Sequence, residues 1–263
     1  MIRTEIAVAG TGEPARRSEV AEAGRVLSRL GLVTAYGHVS ARAGDSMLIT
    51  PAADLADVTA AAVLEVPLRV GAPQPGSGDA PGSGDAPGSG DAPGSGDAPG
   101  RGDAPGAAGR LPAGVPAEAW VHLAVYRARP DVAAIARAQP VSAFAAAATT
   151  TVLVPWHGQA AWLGESVPVH DSATLLRTAE LAGRAADRLG SGEALLLRGN
   201  GAVTVGGTPG LAVARMWLLS TACEVYLAAR GGPVTPLSAA EIASWRAVGD
   251  ELLPRLWQHL RHR

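Results

Sequence analysis

Glu118-Ala-Trp-Val-His122-Leu-Ala-Val-Tyr126-Arg-Ala-Arg-Pro130-Asp131-Val132-Ala-Ala-Ile-Ala136 is the stretch on which the fold turns. Glu118 to Arg129 reads as a helix with apolar residues three and four apart, stopped by Pro130, whose ring cannot continue it. Val132 to Ala136 then reads as a buried strand, an apolar run too short for a second helix. Helix leading directly to buried strand predicts an α/β domain.

The same alternation extends both ways. Upstream, Val20, Ala23, Leu27 and Leu30 share one helical face. Val39-Ser40-Ala41 and Met47-Leu48-Ile49 predict a hairpin around Gly44-Asp45. Downstream, 172 to 189 reads as helix, Ala194 to Leu197 and Ala202 to Val205 as strands, and Leu211 to Ala229 as a long helix. Ser238 with Glu241 forms a capping box opening a last helix, which Pro254 should kink or end.

One segment breaks the pattern. From Pro75 the hexapeptide Pro-Gly-Ser-Gly-Asp-Ala repeats through Ala98, and a last copy, Pro99 to Ala104, carries Arg101. It has no apolar surface to offset the entropy of ordering it, so 71–110 is expected to be a disordered insertion. Its aspartates, Asp79 to Asp103, do not follow the nonapeptide calcium period, and Arg101-Gly102-Asp103 is read as repeat drift. Limited proteolysis is expected to cut within the tract. Residues 1–15 are expected to form a flexible N-terminus, with 16–70 and 111–263 making one domain.

Composition narrows the chemistry. All 22 basic residues are Arg, so lysine Schiff-base chemistry and a Walker phosphate loop are excluded. A formal charge of −2 without a basic tract points away from nucleic acid and anionic membranes. Cys223 is the single cysteine, which excludes an intrachain disulfide and paired-thiolate metal sites; its neighbours predict a buried helical thiol. No run of 18 apolar residues and no secretory pattern at the N-terminus are seen, so a cytoplasmic protein is expected.

Gly37-His38-Val39-Ser40-Ala41-Arg42, Leu48-Ile49-Thr50-Pro51, the Glu118 stretch, and Leu195-Leu-Leu-Arg198-Gly-Asn200-Gly201 through Gly206 stand in an order that resembles the class II aldolase/adducin family. The resemblance implies a central mixed or antiparallel sheet with helices on both sides, one domain, and a homo-oligomer, usually a tetramer. It also implies three histidines holding a divalent metal, commonly zinc, that polarises a substrate carbonyl. The matching positions here are Arg137, Gln139 and Asn200. Arg has no lone pair to give, and amide oxygens are poor zinc partners, so no metal and no cofactor are expected. The segments matching the family's phosphate pocket are Ala52-Ala53 and Pro116-Ala117, so the resemblance with these replacements implies a non-phosphorylated ligand.

Glu118 matches the family's acid/base; its plain alternative is an exposed one-turn partner of His122. Gly37, Ser40, Gln139 and Asn200 are candidate substrate-binding residues, and Glu118, Arg137 and His38 candidate catalytic ones. His157 and His170 are read as local hydrogen-bonding residues, His259 and His262 as solvated. Trp120, Trp217, Trp245 and Trp257 are expected in core or interface. Three functions stay open: a binding or scaffold protein that kept the fold and lost the metal; a metal-independent lyase, decarboxylase or enolising enzyme in which Arg137 stabilises an oxyanion; and a metal aldolase with its ligands elsewhere. The second acts on a small carbonyl or carboxylate compound, the candidate ligand, whereas the first needs none.

Overall fold

Strand β4 (Ala134–Ala138) lies at the heart of the sheet, with its backbone paired on both edges and every side chain buried. The computed structural model describes residues 12–70 and 109–263; the hexapeptide tract and residues 1–11 lie outside the described residues. Around β4 stand β1 (His38–Ala43), β2 (Ser46–Ile49), β3 (Leu64–Pro67), β5 (Val152–Leu153), β6 (Val167–His170), β7 (Ala194–Leu197) and β8 (Gly201–Gly206). Their order is β3-β2-β1-β4-β8-β7-β6-β5, antiparallel at every pairing except β6 with β7. This is the expected single-domain α/β fold with a mixed sheet.

Alternation along the strands sorts the core into two layers. On one face, Ala134, Ala136, Ala138, Ala194 and Ala202 join a cluster with α1 (Glu13–Arg29), α3 (Val141–Ala147), α5 (Pro209–Ala229) and α7 (Gly249–Arg261). Their short methyls let α5 lie close against β4 and β8. On the other face, Ile135, Val203, Val205, Leu195 and Leu197 pack under α2 (Trp120–Ala128) and α4 (Ala179–Leu189). The 21 residues of α5 are long and apolar enough to cross a membrane, yet half of its apolar window is buried inside the fold.

Several elements differ from expectation. Glu118 falls in a single 3-10 turn, Ala117–Ala119, and α2 proper begins at Trp120. The strand runs Ala134–Ala138 because Val132 is still in the turn after Pro130, its N–H donating to Arg129 O at 3.1 Å. Only Ala179–Leu189 of the expected 172–189 helix is helical; Thr178 caps it by accepting from Leu181 N–H, and Gly190 ends it at φ +55°. The capping box at Ser238 opens α6 (Ala239–Arg246) as expected. That helix stops before Pro254, which instead sits inside α7, where only one backbone donor is lost. Helix α1 already includes Glu13 to Ala15, part of the segment expected to be flexible. The Cys223 thiol is buried in α5, and burial pushes it up to about 12.

Candidate functional site

The β1–β4 register pairs His38 with Arg137 and Ser40 with Ile135, so His38, Ser40 and Arg137 point from the same face of the sheet. Helix α2 lies over that face, and His122 and Tyr126, one turn apart, come down onto β1. The tight turn between β7 and β8 brings in Asn200, flanked by Gly199 at φ +68° and Gly201 at φ +83°. A Cβ on Gly201 would stand 2.2 Å from Ala138 O, so only glycine fits there.

These elements build a polar cluster around Glu118. The Arg137 guanidinium donates through Nη2 to Glu118 Oε2 at 2.6 Å. Oε1 accepts from Asn200 Nδ2 at 2.6 Å and from the Leu176 N–H at 3.0 Å. Asn200 Oδ1 in turn accepts from Arg137 Nη2 and, at 3.2 Å, from Gln139 Nε2. Arg137 is 1% exposed, and its Nε is buried without a partner among the described residues. Burial pulls its guanidinium below the ordinary value and Glu118 opposes the shift; it stays charged at any working pH.

A second set runs alongside. His38 Nδ1 stands 2.7 Å from His122 Nε2, His122 Nδ1 2.6 Å from Ser40 Oγ, and Ser40 Oγ 2.8 Å from Tyr126 OH. All four residues are buried. Burial, then the charge of Arg137, holds His122 down to about 3; burial, His122 and Arg137 hold His38 well below 6.5. Both imidazoles are therefore neutral. Burial raises Tyr126 as well, and Arg42 sits 4.8 Å over its ring.

The two sets meet at a cavity of about 320 Å³ whose wall includes Tyr36, Gly37, His38, Glu118, Arg137 and Arg177. Ala52, Ala53, Pro116 and Ala117 complete much of the rest. Two of the amides there are engaged: Ala52 N–H donates to Gly114 O and Ala53 N–H to Pro51 O.

Of the residues singled out in the sequence, Glu118, Arg137, Gln139 and Asn200 converge, and Gly37 and His38 line the cavity. Ser40 does not reach it: it is fully buried and bonded to His122 and Tyr126, so the expected substrate contact is corrected to a link between β1 and α2. His122 is likewise no exposed partner of Glu118, because the sheet beneath α2 takes both of its nitrogens. Arg177, Tyr126 and the Leu176 N–H were not anticipated; a His and a Tyr one turn apart on a buried helical stripe was the available signal. Trp120 is buried, and Trp245 packs against Trp162. Among the described residues no three His, Cys, Asp or Glu side chains gather as a metal-ligating group.

The chain is similar to the Decarboxylase NovR of Streptomyces niveus, 35% identical over 136 residues, covering 51% of this chain and 50% of the relative. It is also similar to 4-hydroxy-3-prenylphenylpyruvate oxygenase/4-hydroxy-3-prenylbenzoate synthase of Streptomyces roseochromogenus subsp. oscitans, 35% over 137 residues and 51% and 49% of the two chains. The chain thus spans about half the length of the curated relatives it matches. Among solved structures, the l-fuculose-1-phosphate aldolase of Thermus thermophilus superposes with a TM-score of 0.61 at 26% identity, over 83% of this chain and 99% of that one. Residues 18–227 match the family of the Class II Aldolase and Adducin N-terminal domain, and the chain belongs to it.

Proposed function

We propose that this chain is a metal-independent family member that binds a small, non-phosphorylated carbonyl or carboxylate compound and does not carry out aldol cleavage. The observation that carries this is the 2.6 Å ion pair between Arg137 and Glu118. A fixed cation occupies the place where a divalent metal would have to sit, and at short range repels it by several kcal/mol even at an effective dielectric near 20. Gln139 and Asn200 add only amide groups, already bonded to one another. The donor set does not fit zinc. Glu118 accepts three hydrogen bonds, two on Oε1 and one on Oε2, so Oε2 keeps the one lone pair left for a substrate proton.

The absence of hydroxyls at Ala52, Ala53, Pro116 and Ala117, and the engaged amides among them, support a ligand without phosphate. Two guanidinium groups, Arg137 and Arg177, and two carboxylates, Asp54 and Glu118, line the cavity. It is formally neutral, so directional hydrogen bonds rather than bulk charge select the ligand. The homo-oligomer implied by the family belongs to the same proposal, and light scattering checks it.

Metal analysis of the freshly purified chain is expected to find no stoichiometric zinc; one zinc per chain overturns the proposal. Pyruvate, acetoacetate and benzoate are the probes for the ligand. At least one is expected to raise the melting temperature, and Arg137→Ala to abolish the rise. No shift from any of them removes the ligand assignment.

A second reading, a lyase or decarboxylase with Glu118 as acid/base and Arg137 as oxyanion stabiliser, is favoured by a neutral imidazole, His38, in the cavity wall and by a relative named as a decarboxylase. Release of carbon dioxide from a panel of 2-oxo acids, lost in Glu118→Gln, would establish it.

A further inference from the structure

We propose that the buried chain Tyr126–Ser40–His122–His38 fixes His38 as the Nε2–H tautomer, so that it presents a neutral hydrogen-bond donor, not a base, to a carbonyl or carboxylate oxygen in the cavity. The tautomer follows from the chain alone; the identity of the acceptor rests on the ligand class proposed above.

Two imidazole arrangements satisfy three consecutive contacts between neutral groups. In one, Tyr126 donates to Ser40, Ser40 to His122 Nδ1, and His122 Nε2–H to His38 Nδ1. His38 then carries its proton on Nε2. In the other, both imidazoles are reversed: His38 Nδ1–H donates to His122 and His122 Nδ1–H to Ser40, which leaves the single Ser40–Tyr126 contact for two hydroxyl protons.

The reversed chain strands one proton. Ser40 is fully buried, Tyr126 is 1% exposed, and among the described residues their hydroxyls meet only each other and His122, so one O–H is buried with no acceptor whichever of the two donates. That favours the first arrangement by about tenfold or more. In it every buried donor finds an acceptor, and the one remaining N–H, at His38 Nε2, belongs to a residue of the cavity wall. No third, charged arrangement competes. The groups facing the imidazoles are each other and the Arg137 guanidinium, the Cα partner of His38, and these disfavour an imidazolium together with burial.

His38 therefore has no lone pair with which to take a proton: Nε2 is protonated and Nδ1 accepts from His122. A neutral donor aligned by a rigid chain recognises oxygen acceptors, whether or not they carry charge. His122, Ser40 and Tyr126 are positioning residues that act through it.

Long-range proton–nitrogen correlation on the 15N-labelled full chain reads the tautomer directly, without any ligand. His38 is expected to show a protonated Nε2 and an unprotonated Nδ1, unchanged between about pH 6 and 8. A proton on Nδ1, an imidazolium, or averaging between tautomers overturns the proposal. Pyruvate binding supplies the second readout. His38→Gln keeps an N–H donor near the Nε2 position and should retain affinity within about threefold, while His38→Ala should lose about tenfold or more. Equal losses in both variants overturn the donor role. Failure of pyruvate to bind the unaltered chain counts against the ligand class, and the spectrum still decides the tautomer.

Discussion

His38 and Arg137 are Cα partners across the β1–β4 ladder. That single register sets a neutral imidazole beside a buried cation on the face covered by α2. A slip of β1 by one residue would turn His38 to the alanine-rich layer under α5 and leave Arg137 on the face beneath α2, so the two would part. The site is therefore a property of the sheet, and α2 and the β7–β8 turn complete it.

The Glu118–Arg137 pair should respond asymmetrically to truncation. Glu118→Ala leaves a guanidinium that is 1% exposed without its carboxylate and is expected to destabilise the fold by ~3 kcal/mol. Arg137→Met should cost less, since Glu118 keeps its bonds to Asn200 and Leu176 and some contact with solvent. The double variant Glu118→Gln/Arg137→Met should recover most of the loss. Urea unfolding of the three chains measures the order; equal losses for both single variants would contradict it.

Stability should fall as the solution is acidified. His122 is held at about 3 and His38 well below 6.5 in the fold, while both regain an ordinary value near 6.5 when unfolded. Below about pH 6.5 the unfolded chain therefore binds more protons, and acid favours it. Each such histidine contributes a slope of about 1.4 kcal/mol per pH unit until the pH approaches its folded value. The stabilising effect of neutral His122 is thus fully present above about 6.5 and lost toward 3. His157 and His170 add to the same trend, since burial lowers them too. Unfolding free energies between about pH 5 and 7 give the proton uptake, and His122→Gln should reduce it by about one.

Gly201 and Gly44 separate strain from collision. Gly44→Ala places a methyl where nothing lies within 4 Å, and only the positive φ of 60° resists it; ~1 kcal/mol is expected. Gly201→Ala meets the same left-handed strain at φ +83° and also drives its Cβ to 2.2 Å from Ala138 O. It should cost ~3 kcal/mol or more and displace Asn200 from Glu118, which thermal unfolding and ligand binding would both report.

Much of this was legible in the sequence, for local reasons. The hairpin at Gly44-Asp45, the cap at Ser238 and the stop at Pro130 are each decided by residues within one turn of the boundary. Where tertiary contacts decide, the pattern misleads. Leu175 and Leu176 look like the start of a helix, but the Leu176 N–H is drawn to Glu118, far along the chain, and the segment stays non-helical up to Thr178. The convergence of Glu118, Arg137, Gln139 and Asn200 followed from motif order. The inward turn of His122 did not, because one-turn spacing to Glu118 fits an exposed pair as well as a buried stripe.

Placing imidazoles at three positions tests the geometry most severely. Asn200 Oδ1 accepts from both Arg137 and Gln139, so all three side chains already aim at one point beside Glu118. Arg137→His/Gln139→His/Asn200→His would replace a repelling cation with three neutral nitrogen donors, next to a carboxylate released from its ion pair. The triple variant is expected to bind about one zinc per chain, by metal analysis after dialysis, and to melt higher with the metal than without it. Asn200→His alone should bind none, because the Arg137 charge remains and costs an approaching dication several kcal/mol. A triple variant that folds but stays free of zinc would mean that these side chains meet through hydrogen bonds without enclosing a coordination sphere, and that the matching of the three positions to the family's ligands is wrong.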